Sequence, residues 1–345
     1  MRTIRIFWIF LILFLCMNPF VQAQDEEEEI PEGWTTKLSF GLDFAQLLQL
    51  NPKVGSGQNN FGFGGLIAIN ADYRRNRWLW ENGFSWQFGI QKVGSGEVAY
   101  SAPGDTNVTF PKVPFQKTVD QLRLGSKLGY SVDPAEKWYV SAAFTLLTQT
   151  AITYTGPSNY PGNFLTNFAG ASLLNSRFFN PAFITLSAGI DYKPSPKFSF
   201  YFSPFAAKWN IVSDDEIALL GVHGNPVTRD ADGNIIAAEN VFNQFGALFR
   251  AAYTDQYWNE RINFRTALLL YSNYLQNPQN IDVDWINELG IRIFKGLEIS
   301  YLLTLFYDDD VQVQITDNNA PSGVRGVGNR ISLTSQLLIK YSIEL

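Results

Sequence analysis

The sequence holds one cysteine, one histidine and no second long hydrophobic run, and each shortage closes a class of function. Cys16 lies inside an N-terminal apolar stretch, so a chain cleaved after it has no disulfide and no thiol chemistry. One histidine falls short of a zinc site, which needs three or four N, S or O ligands. His223 sits between glycines in "LLGVHGN", where a turn residue is expected rather than the base of a serine hydrolase. Positive charge is scarce too: 26 Lys and Arg against 32 Asp and Glu give no footprint for nucleic acid. Past the N-terminus no apolar segment approaches the ~20 residues of a spanning helix. Membrane insertion would have to use strands.

What is present begins with an address. Arg2 and Arg5 precede an apolar run from Ile6 to Met17, and Val21-Gln22-Ala23 offers a small-residue cleavage site, so residues 1–23 read as a cleaved secretory peptide. Leu15 before Cys16 argues against a lipoprotein signal. Losing the two arginines lowers the net charge from −6 to −8. "QDEEEE" then opens a short acidic tail, 24–33, expected to be solvated on the periplasmic side. No linker or composition shift divides 34–345, which reads as one domain.

Period-2 alternation runs through that domain and predicts twelve strands, over 34–49, 61–74, 77–92, 116–131, 137–154, 182–193, 197–211, 244–254, 260–274, 281–294, 297–312 and 328–345. Tight connections (Arg75-Asn76, 133–136, 194–196, 255–259, 295–296) alternate with mostly long polar ones, of which only 275–280 is short. Each strand carries an apolar and aromatic stripe on one face, such as Trp78, Trp80, Phe84, Trp86, Phe88 and Ile90 or Phe198, Phe200 and Phe202, and no Lys, Arg, Asp or Glu interrupts these stripes. A lipid-facing Arg or Lys at mid-bilayer costs roughly 2–4 kcal/mol, which accounts for the exclusion. The opposite face holds Arg123, Lys127, Arg250, Arg265, Arg292 and Lys340 with Asp43, Asp72, Glu81, Asp191, Glu288 and Glu298. The expected fold is an all-β, twelve-stranded antiparallel outer-membrane barrel with short periplasmic turns, long extracellular loops and those twelve charges lining the lumen. Arg123, Lys127 and Arg265 are expected to pair with carboxylates such as Glu81 and Glu288. A soluble sandwich would leave the leader, the loop alternation and the aromatics unexplained together.

No catalytic, cofactor or metal residue is expected. "DADGN" (230–234) begins like a calcium loop, but the sixth position is Ile235 and the twelfth Val241, so a hairpin turn is expected. Asp308, Asp309 and Asp310 form the one weak metal candidate, read as a solvated edge on the loop side. Gly62, Gly64 and Gly65 precede no helix and make no phosphate loop.

Several segments resemble a known family. "FQKTVDQLRLGSKLGY" (115–130) with "WYVSAAFTLLTQ" (138–149) is similar to its central signature, and "ADYRRNRWLWEN" (71–82), "NPAFITLSAGIDYKPSPKFSFYFSPFAAKW" (180–209), "YSNYLQNPQNIDVDW" (271–285) and "LFYDDDV" (305–311) extend the resemblance over nearly the whole domain. The family is the Bacteroidota outer-membrane set known as domain of unknown function 3078. Its members usually carry an Asn-Trp-x-x-Gly-Gly-like element where this chain has "NPKVGSGQNNFGFGG" (51–65), so a role tied to that tryptophan does not carry over. The resemblance implies a barrel and an outer-membrane location, but no activity and no site residues.

Three functions are then open: a non-enzymatic narrow channel for small polar solutes, a non-conducting scaffold or accessory barrel plugged by its own charges, and, disfavoured by the single loop histidine, a lipid-modifying enzyme. The expected partners are outer-membrane lipid and lipopolysaccharide, the barrel-assembly machinery and other outer-membrane proteins.

Overall fold

The computed structural model describes residues 32–47, 60–94, 111–156, 161–167, 173–317, 319 and 323–344. The leader, the acidic tail through residue 31, the loop centres at Gly104 and Tyr160, and Leu345 lie outside the described residues. In chain order the described strands begin with β1 (Gly33–Leu47), β2 (Asn60–Arg75), β3 (Trp78–Val93), β4 (Gln116–Ser131), β5 (Trp138–Thr148), β6 (Thr153–Thr155), β7 (Asn163–Phe164), β8 (Leu174–Ser176), β9 (Ala182–Ser195) and β10 (Phe198–Ile211). A short helix α1 (Asp215–Ala218) leads to β11 (Val227–Arg229), β12 (Ile235–Ala238), β13 (Val241–Tyr257), β14 (Ile262–Asn273), β15 (Asp282–Phe294), β16 (Leu297–Tyr307), β17 (Val313–Thr316), β18 (Val324–Gly328) and β19 (Ser332–Glu344).

Twelve of these, β1 to β5, β9, β10, β13 to β16 and β19, pair antiparallel in that order, and β19 returns to β1. Lys37 opposes Glu344 and Leu42 opposes Ile339 across the seam. The barrel wall therefore closes on itself, as a sheet in lipid must. The fold is the twelve-stranded transmembrane barrel that the alternation predicts.

Side-chain exposure fixes which face is which. Leu337 and Ile339 are 63% and 60% exposed while Leu338 between them is 1% exposed. Phe40, Leu42, Phe44, Val140, Ile190, Phe202 and Leu333 all stand outward and exposed, so the apolar face is the outer surface. The few polar groups on that face pair across strands. Trp80 Nε1 donates to Ser126 Oγ at 2.8 Å, which bonds Asn82 Oδ1 at 2.8 Å. Trp285 Nε1 donates to Thr266 Oγ1 at 2.8 Å, and that hydroxyl donates to Asn287 Oδ1 at 2.8 Å. In hydrocarbon an unpaired polar group costs several kcal/mol, and these ladders avoid it.

At the turn side, aromatic pairs ring the barrel: Trp34–Tyr73 at 5.1 Å between ring centres, Trp78–Tyr130 at 5.0 Å, Trp138–Tyr192 at 4.2 Å and Phe198–Tyr253 at 4.4 Å. This is an interfacial girdle. The turns beneath it use local chemistry. Asn76 takes φ +51 and Gly296 φ +83, left-handed values that these residues tolerate. Asp133 accepts from the backbone N–H of Lys137 and Trp138 at 3.0 and 2.7 Å; those bonds, Trp138's first, hold its carboxyl below the usual range.

Two strands stop earlier than their alternation suggests, and side chains explain both. β5 ends at Thr148 because Asp120 captures the backbone N–H groups of Thr150 and Ala151. β16 ends at Tyr307 because Asp308 Oδ1 accepts from the Asp310 N–H at 2.9 Å. The loops carry structure of their own: β6 with β7 and β8, the β11–β12 and β17–β18 hairpins, and a cluster of Val212, Ile217 and Ala218 packed with Leu174 and Ala238.

Candidate functional site

Alternation puts the second residue set of every strand into the bore, and there the charges meet. Around the ring, β4 and β15 stand six strands apart in either direction, hence diametrically opposed. Arg123 on β4 and Asp284 on β15 nevertheless form a salt bridge of 2.6 Å. One ion pair crosses the whole bore.

Toward the turn side a second group gathers. Lys127 on β4 meets Glu81 at 2.8 Å and Asp191 at 2.6 Å, while Lys193 on β9 meets Glu81 at 2.6 Å and Asp191 at 3.9 Å. Ser199 Oγ donates to Asp191 at 3.0 Å. Asp72 adds a further carboxylate, accepting from the Asn82 backbone N–H at 3.3 Å. On the wall from β15 to β1, Lys340 bridges Glu288 and, at 3.5 Å, Glu298, and Gln336 donates to Asp43 at 3.0 Å.

Apolar filling joins the ions. Tyr201, Ala206, Leu248 and Tyr271 form a buried cluster with Ala143 and Leu269 against it. Tyr201 donates to Ser187 at 3.0 Å, and the Lys127 ammonium lies 5.9 Å from its ring centre. A twelve-strand bore lies between the filled interior of ~8 strands and the channel of ~16, so side chains decide its width.

Of the twelve charges read from the sequence, Lys127 pairs with Glu81 as expected. Arg123 pairs with a carboxylate not named in advance, Asp284, and Glu288 meets Lys340. Arg250 and Arg265 make no salt bridge among the described residues, and Arg292 pairs with Glu260 at the turn rim at 2.8 Å. Asp284, Lys193, Lys208 and Asp282 were not anticipated. Asp282 and Asp284 share the face of Glu288 and Arg292, so alternation carried to the first residues of β15 points to them.

The loop-side mouth differs most from expectation. Asp308 is 4% exposed, so the acidic run is no solvated edge. Lys208 on β10 bonds Asp282 at 2.8 Å and Asp308 at 3.0 Å. Asn280 donates to Asp309, and Gln244 Nε2 donates to Asp310 at 3.2 Å. Burial, then the charges of Asp308 and Asp309, push Asp310 up to about 6.

His223 lies buried in the loop cap, its Nε2 2.7 Å from the Asn175 carbonyl oxygen. Burial holds it below its ordinary value, and the Lys117 charge adds to that. Lys117 in turn pairs with Asp120 at 3.2 Å, with side-chain exposures of 6% and 0%. In "DADGN", Asp230 receives the N–H groups of Asp232 and Asn234 and the Asn234 side chain, the hairpin turn expected. Those bonds, the Asn234 side chain's first, lower its carboxyl.

The model of the family described as "Protein of unknown function (DUF3078)" matches residues 49–154, in agreement with the resemblance read from 71–82, 115–130 and 138–149. No curated protein matches the chain. Among solved structures it is similar to an outer membrane channel from Pseudomonas putida F1 (14% identity, 94% of this chain and 100% of that one, TM-score 0.37). It is also similar to the translocator domain of the autotransporter NalP from Neisseria meningitidis (8% identity, 91% and 90%, TM-score 0.38) and to a mutant of the TodX monoaromatic hydrocarbon channel (10% identity, 91% and 90%, TM-score 0.34).

Proposed function

We propose that this barrel is a narrow, weakly selective outer-membrane channel for small polar solutes, its bore held tight by paired charges. The observation that carries this reading is the Arg123–Asp284 bridge between opposed walls. Balanced, mutually paired charges leave a polar path with little net field, which suits small neutral or zwitterionic solutes. The leader directs export, the short turns face the periplasm and the loops the exterior. Outer-membrane lipid and lipopolysaccharide surround the barrel, which the barrel-assembly machinery inserts. The imidazole of His223 engages a backbone carbonyl in the cap, an arrangement that supports a structural rather than a catalytic part.

The buried Tyr201–Leu248–Tyr271 filling supports a second reading, a non-conducting accessory barrel. Single-channel recording of the refolded protein in planar bilayers separates the two. Discrete openings far below those of a general porin, with weak charge preference, are expected. Complete silence in membranes that hold correctly folded barrel selects the accessory reading.

A further inference from the structure

An oxygen from each of Asp282, Asp308 and Asp309 lies within 4.8 Å of the others. Oxygens on opposite sides of one calcium ion, each at roughly 2.3–2.6 Å from it, are ~5 Å apart, so the three can share an ion. Asp310 brings a fourth carboxylate, and Lys208 is the one cation bonded to the group among the described residues. The cluster therefore carries surplus negative charge.

A separate observation points the same way. Gln244 is 5% exposed and opposes Lys208 across the β10–β13 ladder, so the two share the inward face. Its amide nitrogen is committed to Asp310, which fixes the amide head at the cluster, and its Oε1 is buried without a partner. Tyr271, 3% exposed, opposes Asp282 and has the Lys208 ammonium 5.1 Å from its ring centre, so its ring walls the cluster. A buried polar group left unmatched is costly. The Gln244 oxygen is one more acceptor beside the carboxylates, and a hard cation would satisfy it.

We propose that the loop-side mouth is a calcium site in which Asp282, Asp308 and Asp309 supply carboxylate oxygens and Gln244 its amide oxygen. Calcium accepts about six to eight oxygens in flexible geometry, a mixture of carboxylate and amide carbonyl included. The ion would tie the start of β15 and the end of β16 to the mouth end of β13. The proposal is independent of whether the bore conducts.

The test is calcium binding to the refolded full chain in detergent, by equilibrium dialysis and calorimetry, with heat-modifiable gel mobility as the check of folding. One ion per chain is expected, with a dissociation constant of about 10⁻⁴–10⁻³ M. D309N, which alters a carboxylate at the edge of the cluster, should weaken binding at least about tenfold, and D308N/D309N should abolish it. D230N/D232N, in the hairpin of the cap, should bind as the wild type does. If D308N/D309N fails to fold, D309N and the wild-type titration decide. Absence of saturable binding to the folded wild type, or binding unchanged by D309N, overturns the site.

Discussion

Cutting the strut across the bore should open it. Arg123→Ala removes the guanidinium that reaches Asp284, and Asp284→Ala removes its anchor on the far wall. Breaking a fully buried pair from one side costs about 3–5 kcal/mol. Arg123 and Asp284 keep 26% and 16% of their side-chain surface exposed, so water compensates in part and a loss of about 1–3 kcal/mol is expected. Asp284 Oδ1 is already buried without a partner, which places R123A toward the upper end. The double alanine variant leaves no orphan charge and should be more stable than the sum of the single losses implies.

The electrical signature is sharper than the stability change. Two unit charges 4 Å apart interact by about 4 kcal/mol at an effective dielectric of 20, enough to set the preference of a narrow passage. R123A should therefore raise conductance severalfold and select cations, D284A should raise it and select anions, and the double variant should conduct with little preference. The swap R123D/D284R should return conductance toward the wild-type level. Planar-bilayer recording with reversal potentials in a salt gradient reads all four. Wild-type conductance and selectivity in both single variants would show that the bridge does not gate the path.

Other outcomes follow from the same structure. Cysteines placed at Ser195 and Asp232 should label from opposite faces of the outer membrane, and labelling of both from outside intact cells refutes the orientation. Arg265→Ala, which breaks no salt bridge, should shift selectivity toward cations while leaving conductance within about twofold of wild type; a large opening would mean that Arg265 is itself a constriction. Asp120→Ala strips the buried Lys117 of its counter-ion and three loop donors of their acceptor, so a loss of about 3–5 kcal/mol is expected in urea unfolding of the folded barrel, and a change under 1 kcal/mol would be inconsistent with a staple. His223 has its folded-state value depressed by burial, so its contribution is complete above the ordinary histidine value and lost as pH falls below it. Protease cleavage of the cap should rise between pH 7.5 and 5 in wild type and rise less in H223N, which keeps the backbone contacts of residue 223 to Asn210 and Val311 and the nearby Lys117 charge; equal rises would exclude the histidine.

The strands were legible because lipid on one side and ions on the other impose a strict period of two, and Trp78 to Ile90 displays it without interruption. The bore charges were legible as a face but not as pairs. Period two says that Arg123 points inward; it does not say where on the ring it sits. That needs the strand order, and in particular that five loop strands and a helix stand outside the barrel wall between β5 and β13. Lys127 and Glu81, both named in the expected pairing, meet because β3 and β4 are joined in sequence and adjacent in space. Arg123 and Asp284 are 161 residues apart, and nothing local couples them.

Lys208 shows where alternation itself gives way. Phe198, Phe200 and Phe202 face outward, and unbroken alternation would put Lys208 on the same lipid face, at roughly 2–4 kcal/mol near mid-bilayer. The register shifts between Ser203 and Ala206 against β13 and between Phe202 and Phe205 against β9, one extra residue of β10 on each side. Pro204 lies within that shift, where its missing N–H leaves no ladder bond unmade. Ser203 Oγ reaches the carbonyl oxygens of Ala188 and Phe205, both at 2.8 Å, satisfying backbone that the bulge displaces. After the shift Phe205 is exposed and Ala206 buried, so Lys208 turns inward to Asp282 and Asp308. A lysine that would fall on a lipid stripe four residues after a proline is thus itself a signal: it marks a bulge between them, and the bulge is what delivers a cation to the acidic mouth.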